Sequence, residues 1–404
     1  MDNPINGKSI VLGVSGSIAA YKAVELASQL KKAGANVDVI LTPSAEKLVS
    51  ALTFQSVTGR KAYTEEDLWK TGEHVIHITL ARRADLMVIA PASANTLAKI
   101  AHGIADTLLT VTALACRAPL VVAPAMDAGM YDHAATQDNL HTLAERGISI
   151  LGPEEGHLAS GLKGKGRMLE ASTLLSSIRF LLSRNNVLAG KKILVTAGGT
   201  QEALDPVRFI GNRSSGKQGY AIAQAALDAG AQVTLITAPT ALSAPQGAEV
   251  VNVVDAAEMH KAVMEKVEHI DAVIMAAAVA DFHPINTSNQ KIKKESDLQV
   301  IDLEPTTDIL KELGVYKTQH PELLLIGFAA ESESLLQNAG KKLKQKNLDL
   351  IVANDISRKD AGFAVDTNEV TLLFKDGNQI HIPLQEKEKI ASEIIDILCT
   401  LLQS

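Results

Sequence analysis

The sequence predicts an α/β protein built from two Rossmann-like, doubly wound domains. The main observation is a repeat: residues 8–17 and 192–200 are each a basic residue, an apolar run and a glycine-containing turn. Each copy continues with a helical pattern that ends at Gly34 or Gly230, and a second apolar run follows. Strand, glycine turn, helix, glycine and strand is the start of a nucleotide-binding α/β unit. Two copies therefore indicate two nucleotide-like ligands and two activities.

Composition sets the class of protein. A chain of 404 residues with 46% hydrophobic residues is globular and too long for one ordinary core. Aromatic residues at 3% and a formal charge of −7 disfavour a nucleic-acid partner. We find no signal-peptide pattern and no apolar stretch long enough to span a membrane. Cys116 and Cys399 lie in apolar runs, which favours free buried thiols in a reducing cytoplasm.

The first domain is predicted to hold a parallel sheet. Its strands are predicted at 9–14, 37–41, 86–91 and 118–124, with 148–151 as a candidate fifth. Helical periodicity predicts helices over 19–33, 95–115 and 171–182. This alternation is typical of a doubly wound sheet, and for the first domain we expect a flavodoxin-like one.

The hydrophobic pattern breaks at residues 183–186. The sequence thus predicts domains over 1–184 and 191–404 with a linker at 185–190. Second-domain strands are predicted at 192–197, 232–237, 250–253, 271–277, 323–328 and 348–353. A hairpin is predicted at 370–374 and 379–382 around the turn 375–378, and a closing helix over 386–402.

The loop after the first strand is longer in the second copy. The extra residues lie at 201–216, a polar and basic stretch that contains Arg208 and Asn212 and is followed by Lys217. An insertion there sits at the carboxyl edge of the sheet, where α/β proteins bind ligands. This loop therefore suits an anion.

The first glycine turn is a weaker signal by itself. Residues 13–19 lack the G-x-G-x-x-G fingerprint, although two glycines, Ser15 and Ser17 at a helix amino terminus can bind one phosphate. Such a turn is as often structural as functional. Small and hydroxyl residues at 90–96 and the segment 124–131 end two later strands. His77 lies between them, and an isolated histidine is more often a surface or capping residue.

Together, residues 13–22, 77–78, 90–96, 103–106 and 124–131 resemble the flavin-dependent cysteine decarboxylases. The resemblance implies a trimer that binds FMN at subunit interfaces. It also implies a functional histidine, His77, and a Pro-x-Met-Asn-x-x-Met-aromatic motif that supplies Met126 and Met130 as substrate contacts. The implied FMN contacts are Gly16, Ser17, Ile18, Ser44, Ser93, Asn95, Ala105 and Asp106.

The second half resembles the phosphopantothenate–cysteine ligases. The matching segments are 205–208, 212–217, 276–281, 291–294, 327–331 and 346–355. The two halves stand in the order of the bacterial bifunctional coenzyme A biosynthesis family, and the resemblance covers essentially the whole chain. It implies a trimer through the flavin domain and a dimer through the ligase domain, up to a dodecamer.

The resemblance implies a decarboxylation assisted by FMN. A plain aliphatic carboxylate has nowhere to place the electrons of decarboxylation, so oxidation of the cysteinyl thiol carbon to a thioaldehyde comes first. Loss of CO₂ then gives an enethiolate, which is reduced again. His77 would move a proton or orient the carboxylate.

Two residues depart from the commoner family pattern. Asp127 stands where the motif has asparagine, and an ionised Asp would repel a substrate carboxylate. It is either protonated when substrate binds, or it contacts something else. Ser160 stands where many relatives carry a cysteine proton donor, and a hydroxyl is a far weaker acid. A water relayed by Ser160, or His157, could protonate the enethiolate instead. These departures leave open a non-catalytic flavin-binding regulatory domain, or a decarboxylase of another cysteine derivative.

The ligase resemblance implies that 4'-phosphopantothenate attacks CTP to give an acyl-cytidylate, from which the cysteine amine displaces CMP. Asn212 would stabilise the acyl-cytidylate carbonyl, and Asp281 would bind Mg²⁺ or the nucleotide. Phosphate contacts are expected from Gly198, Gly199, Thr200, Lys291, Lys342 and Lys346, with Phe328 against the base. Further contacts are expected at Ala276, Ala277, Thr306, Thr307, Asp308 and Ile309.

Overall fold

The computed structural model describes residues 3–69, 75–293, 300–331, 334–355 and 365–403. Its contacts divide the chain into two compact units, Asp2–Leu182 and Ser183–Ser404. None of the helices in these described ranges has the length and hydropathy of a transmembrane span. Both cysteines are free, and burial raises the pKa of Cys399 to about 11.

The first unit is built on a parallel sheet. Its strands are β1 (Ser9–Val14), β2 (Asn36–Leu41), β3 (Ala62–Tyr63), β4 (Leu86–Ala92), β5 (Leu120–Pro124), β6 (Ser149–Ile150), β7 (Glu154–His157) and β8 (Lys163–Arg167). Its helices are α1 (Ala20–Lys32), α2 (Pro43–Glu46), α3 (Ala51–Thr58), α4 (Ile76–Arg83), α5 (Ala94–Ala101), α6 (Leu108–Ala115), α7 (Ala128–Asp132), α8 (Ala134–Glu145) and α9 (Ala171–Ser183), with a 3₁₀ helix at Glu65–Trp69.

The strand order is β3-β2-β1-β4-β5-β6, and every pair is parallel. This is the dinucleotide-binding order, and without the two-residue β3 it becomes the flavodoxin order. All seven residues of β4 are buried, as expected for a parallel strand covered by helices on both faces. The doubly wound first domain is therefore confirmed.

The single helix predicted over 95–115 is wrong. The structure has two helices, because α5 ends at Ala101 and α6 begins at Leu108. Gly103 has a φ of +68°, a left-handed conformation that favours glycine and stops a helix. The Thr107 side chain then caps α6 by accepting from the backbone N–H of Thr110 at 3.3 Å.

The antiparallel pair β7–β8 packs on the short helix α7. The backbone N–H of Met126 donates to the Gly166 carbonyl at 3.0 Å. A Cβ at Gly166 would overlap the Met126 carbonyl oxygen, and one at Gly164 would overlap Ala128. The two glycines therefore allow this hairpin to approach the segment that follows β5.

The second unit contains a larger mixed sheet. Its strands are β9 (Lys192–Ala197), β10 (Gln201–Ala203), β11 (Phe209–Gly211), β12 (Gln232–Thr237), β13 (Glu249–Asn252), β14 (Ala272–Met275), β15 (Phe282–Pro284), β16 (Leu303–Pro305), β17 (Leu324–Glu331), β18 (Leu350–Asp355), β19 (Thr367–Phe374) and β20 (Gln379–Glu386). Its helices are α10 (Lys217–Asp228), α11 (Ala256–Lys266), α12 (Ile309–Gln319), α13 (Leu335–Gln345) and α14 (Lys387–Leu401).

The main sheet has the order β13-β12-β9-β14-β17-β18-β19-β20. The strands from β13 to β18 are parallel, and β19 and β20 form the expected antiparallel hairpin at the edge. The chain runs from β9 outward to β12 and β13, then crosses to the other side of β9 and continues with β14. The direction of winding therefore reverses at β9. The carboxyl ends of β9 and β14 therefore form the crevice where such a sheet binds its ligand.

Candidate functional site

The turn after β1 is tied to the end of β4. The buried Ser15 hydroxyl donates to the Pro91 carbonyl at 2.8 Å and accepts from the backbone N–H of Ser93 at 2.8 Å. Gly16 lies so close to Ser44 that a Cβ would overlap it. No side chain caps the start of α1. This turn therefore presents backbone N–H groups at a helix amino terminus, as a phosphate site requires.

The structure places the predicted flavin contacts around this turn and beyond it. Ser93 caps α5 by accepting from the backbone N–H of Thr96 at 3.3 Å. Ser17 is half-buried, and the predicted contacts at the surface are Ile18, Ser44, Asn95, Ala105 and Asp106. The Lys99 ammonium binds Asp106 at 2.8 Å and lowers the pKa of its carboxyl.

His77 lies in the first turn of α4 and is half-buried. Its Nδ1 atom is buried and has no hydrogen-bond partner within the described ranges. Buried polar atoms in folded proteins are nearly always paired. This atom is therefore the strongest sign in the first unit that a further group belongs at the site.

Asp127 and Ser160, the two departures from the family pattern, contact each other. The Ser160 hydroxyl donates to Asp127 Oδ2 at 2.7 Å, and the backbone N–H of Gly129 donates to Oδ1 at 3.0 Å. These bonds, that from Ser160 first, lower the pKa of Asp127. The structure shows Asp127 in contact with another group, as one of its two readings requires, and protonation on substrate binding stays a prediction.

The same contact changes the expectation for Ser160. Its hydrogen is directed at Asp127, so a direct or water-relayed proton transfer would first require this bond to break. Ser160 lies in the connection between β7 and β8, and His157 ends β7. Met126 is half-buried and Met130 is 51% exposed on the segment that the hairpin covers.

The second unit contains a cavity of about 550 Å³ at the carboxyl ends of β14, β17 and β18. It has the volume of an ordinary small-molecule site. Most of the predicted ligase residues line it. They are Asn212, Ala276, Ala277, Asp281, Thr306, Thr307, Asp308, Ile309, Phe328, Lys342 and Lys346.

One wall of this cavity carries charged and hydroxyl groups that are hydrogen-bonded within the protein. Lys346 Nζ binds Asp308 at 2.9 Å, and Asp308 caps α12 by accepting from the backbone N–H of Lys311 at 3.0 Å. The Thr306 hydroxyl donates to the Ala280 carbonyl at 2.6 Å. Asp281 has an exposed side chain. Across the described ranges no three His, Cys, Asp or Glu side chains converge as metal ligands would.

The amide of Asn212 is already engaged. Its Nδ2 donates to the carbonyls of Ala278 and Val279 at 3.1 and 3.2 Å. An amide nitrogen carries two hydrogens, so both are used. In this conformation Asn212 holds the chain that follows β14, and stabilising an acyl-cytidylate requires these bonds to open.

Four predicted phosphate contacts lie outside the cavity wall. Thr200 is fully buried, and its hydroxyl accepts from the backbone N–H of Ala280 at 2.8 Å. Gly198 and Gly199 lie beside it, and a Cβ at either would press on backbone oxygens. These three residues therefore support the wall in this structure, and their phosphate role stays a prediction. Lys291 is exposed and is not among the lining residues.

Several lining residues were not among the ligand contacts predicted from the sequence. They are Ser214, Ser215, Lys217, Asn354, Asn368 and Lys387. Lys217 binds Asp366 at 2.5 Å. Burial, then the neighbouring Lys217, lowers the pKa of Lys387. The segments 212–217 and 346–355 could have indicated four of the six; no sequence signal indicates Lys387, which opens the closing helix.

Comparisons with known proteins cover both halves. Residues 2–183 match the model of the Flavoprotein family, and residues 188–401 match the DNA/pantothenate metabolism flavoprotein C-terminal domain. The coenzyme A biosynthesis bifunctional protein CoaBC of Bacillus subtilis is 46% identical over 400 residues, which cover 98% of each chain. CoaBC of Mycobacterium tuberculosis is 43% identical over 413 residues, covering 98% of this chain and 97% of the relative.

This chain belongs to the family of bifunctional coenzyme A biosynthesis proteins. A crystal structure of the C-terminal domain of a CoaBC protein is 44% identical and covers 54% of this chain and 99% of that one, with a TM-score of 0.47. The predicted family, the α/β fold class and the bifunctional decarboxylase and ligase role in coenzyme A biosynthesis are confirmed. The family match does not favour a non-catalytic flavin domain.

Proposed function

We propose that this chain makes 4'-phosphopantetheine from 4'-phosphopantothenate and cysteine in two reactions. The ligase unit joins the two substrates with CTP through an acyl-cytidylate. The flavin unit then decarboxylates the product with FMN. The observation that carries this proposal is the cavity of about 550 Å³, which gathers eleven predicted ligase residues from distant parts of the chain. A cytoplasmic location remains part of this proposal.

The first unit fits FMN. The uncapped start of α1 can offer backbone N–H groups to a phosphate, and the absence of a Cβ at Gly16 lets this turn approach Ser44. The unpaired Nδ1 of His77 calls for one more polar partner. Bound FMN would supply the electron sink that an aliphatic carboxylate lacks. Gly16, Ser17 and Ser93 would hold its phosphate.

In the decarboxylation the side chains bind the substrate and move protons. His77 would orient the substrate carboxylate or hold a proton beside it. The hairpin β7–β8 would cover the substrate, because it packs on the segment that carries Met126 and Met130. The Asp127–Ser160 pair places a negative charge at this position, so the substrate carboxylate must bind away from Asp127 or displace the Ser160 hydroxyl.

In the ligation the substrate carboxylate attacks the α-phosphorus of CTP and pyrophosphate leaves. Lys342 and Lys346 line the cavity and would neutralise the charge on the triphosphate, with Lys346 exchanging Asp308 for a phosphate oxygen. The cysteine amine then attacks the acyl carbon, and CMP leaves. Phe328 offers a face for the cytosine ring.

Mg²⁺ fits as an ion carried by the nucleotide. Asp281 offers one exposed carboxylate, and the described residues hold no cluster of acidic ligands. Magnesium in nucleotide sites commonly uses one or two carboxylates together with phosphate oxygens and water. Asp281 would therefore bind Mg²⁺ only together with CTP.

Exposed apolar side chains support self-association of each unit. In the flavin unit they include Ile18, Tyr21 and Leu52, and in the ligase unit they include Phe209 and Phe282. Exposed apolar side chains mark an interface where they form a contiguous patch. We propose that the first set contributes to a trimer and the second to a dimer, up to a dodecamer.

The proposed function is tested by incubating the full chain with 4'-phosphopantothenate, cysteine, CTP and Mg²⁺. Pyrophosphate and CO₂ are followed separately. We expect pyrophosphate with CTP, and CO₂ only after ligation. Pyrophosphate without CO₂, in protein that has bound flavin, would instead assign the first unit to a non-catalytic role.

A further inference from the structure

The ligase cavity contains two lysines that have no part in the proposed chemistry. Lys217 and Lys387 line the cavity as the first residues of α10 and α14. The starts of these two helices are joined, because the Gln218 amide donates to the Lys387 carbonyl at 3.3 Å. The Lys387 side chain is buried, and its Nζ donates to the Val365 carbonyl at 2.5 Å. Burial, followed by repulsion from Lys217, lowers the pKa of Lys387. Two ammonium groups that repel each other therefore lie in one part of the cavity.

Both helices add partial positive charge at the same place. α10 has 12 residues and α14 has 15, and no side chain caps the start of either helix. The first turn of an uncapped helix leaves backbone N–H groups unpaired and carries the positive end of the helix dipole. This part of the cavity therefore favours an anion.

Two buried amides in the same cavity point to a ligand. Asn354 in β18 is 7% exposed, Asn368 in β19 is 5% exposed, and both line the cavity. Among the residues that the structure describes, none forms a hydrogen bond with the Asn354 side chain. The Asn368 Oδ1 accepts from the backbone N–H of Glu369 at 3.0 Å, which leaves its amide nitrogen for another partner. Buried amides are nearly always paired, and amide N–H donors beside ammonium groups suit the oxygens of a phosphate.

These groups are distinct from the lysines already placed at the triphosphate. Lys342 lies in α13, and Lys346 follows that helix. α13 packs in one buried cluster with α11 and α12, whereas α10 and α14 pack on each other. Cationic side chains therefore reach the cavity from two groups of helices. In the proposed reaction two compounds that carry phosphate, CTP and 4'-phosphopantothenate, meet in this cavity.

We propose that Lys217 and Lys387, together with the amides of Asn354 and Asn368, form a second phosphate subsite of the ligase cavity. The subsite binds a phosphate group either of CTP or of 4'-phosphopantothenate, and this inference rests on the proposed ligase function. Lys217 binds Asp366, but the Asp366 side chain is 82% exposed, and such an exposed pair contributes little. Exchange of this carboxylate for a phosphate therefore costs little, and the phosphate offsets the repulsion between the two lysines.

The test compares Lys387→Gln with the wild type in the full chain, by CTP-dependent pyrophosphate release. The KM values for CTP and for 4'-phosphopantothenate are measured separately. We expect one of them to rise about ten- to hundredfold, the range for a lost hydrogen bond to a charged group, and the other to change less than about twofold. The KM that rises identifies the compound whose phosphate the subsite binds.

A ligand without phosphate checks that the lysine acts on the phosphate. The probe is cytidine if the KM for CTP rises, and pantothenate if the KM for 4'-phosphopantothenate rises. Its inhibition constant should differ between Lys387→Gln and the wild type by less than about twofold, because the group that the lysine binds is already missing. An inhibition constant that rises as much as the KM would overturn the inference.

Lys389→Gln is the matched control. Lys389 lies on the same helix and carries the same charge, but it is exposed and is not among the lining residues. We expect it to leave both KM values unchanged. A rise in KM equal to that of Lys387→Gln would assign the effect to the overall charge of the protein and refute the subsite.

The remaining outcomes separate this inference from the proposed function. A wild type without CTP-dependent pyrophosphate release refutes the ligase function itself, and the subsite with it. An active wild type, with both KM values unchanged or both raised in Lys387→Gln, overturns the subsite alone. Should Lys387→Gln not fold, Lys217→Gln replaces it, because the Lys217 side chain is 35% exposed.

Discussion

Replacing the buried Lys22 by methionine should destabilise the flavin unit by a calculable amount. Lys22 is 5% exposed on α1, and its Nζ donates to the Met168 carbonyl at 2.9 Å and to Glu170 at 2.8 Å. Methionine keeps most of the apolar stem, so packing changes little. The main loss is the donor to the Met168 carbonyl, which is left unpaired.

An unpaired buried acceptor costs about 1–3 kcal/mol. Glu170 adds little, because its side chain is 45% exposed and Arg167 also binds it at 2.5 Å. In a domain of this size each 1 kcal/mol lowers the melting temperature by about 2–4 °C. The melting temperature of Lys22→Met should therefore be lower by about 2–12 °C. The measurement is scanning calorimetry of the unfolding transition of the flavin unit.

Lys8→Met is the control. Lys8 also binds a carboxylate, Asp85, but at 3.9 Å and with both side chains 43% exposed. An exposed pair of this kind contributes about 0–1 kcal/mol, so its loss should shift the transition by no more than about 4 °C. Equal shifts for the two variants, or no shift for Lys22→Met, would refute the reasoning from burial.

The pH dependence gives a second measurement of the same pair. Hydrogen bonding to Lys22 lowers the pKa of Glu170 below its ordinary 4.5. A carboxyl group whose folded pKa is lowered stabilises the protein above the unfolded pKa, and this stability is lost as the pH falls through the folded value. The difference in melting temperature between the wild type and Lys22→Met should therefore become smaller below about pH 4.5.

Three further predictions concern the two reactions. His77→Asn should stop CO₂ release and leave CTP-dependent pyrophosphate release intact. Loss of both activities in folded protein would show that the two reactions are not divided between the two units as proposed. Asp127→Asn combined with Ser160→Cys should lower the KM of the decarboxylation, because an amide donates to the substrate carboxylate, and should preserve or raise kcat, because a thiol is the better acid; unchanged KM and kcat would remove both residues from the site. Asn212→Asp should slow the pyrophosphate burst about 10²–10³-fold, whereas an unchanged burst with a lower melting temperature would make Asn212 structural.

The buried strands of both sheets could be predicted because their sequences are continuous apolar runs. β4 and β9 are examples, and their bounds differ from the prediction by no more than a residue. β7 and β8 could not be predicted, because Glu154–His157 and Lys163–Arg167 are charged and glycine-rich. They show no alternation of large apolar and polar residues, which is the usual sign of a strand. The break between α5 and α6 depends on the conformation of Gly103, which a helical periodicity over the flanking residues conceals.

The candidate site could be predicted where a residue follows a strand of the sheet. Asp281 lines the cavity for this reason, and Phe328 lies in the carboxyl half of β17, where the predicted strand ended. The direction of a hydrogen bond is not visible in the sequence, so the engaged hydroxyl of Thr200 and the engaged amide of Asn212 were missed. Lys387 reaches the cavity from the edge of the sheet, through a contact that only the tertiary structure creates.

The Asp127–Ser160 contact explains why two departures from the family pattern occur in one chain. A carboxylate at position 127 needs donors, and the Ser160 hydroxyl provides one at 2.7 Å in addition to the Gly129 N–H. A serine hydroxyl can also accept a hydrogen bond from an asparagine amide, so Ser160 would suit Asn at position 127 equally well. A thiol is a much weaker donor than a hydroxyl, so Cys at position 160 would leave the Asp127 carboxylate poorly paired. Asp127 therefore favours serine over cysteine at position 160, and the two residues should be substituted together.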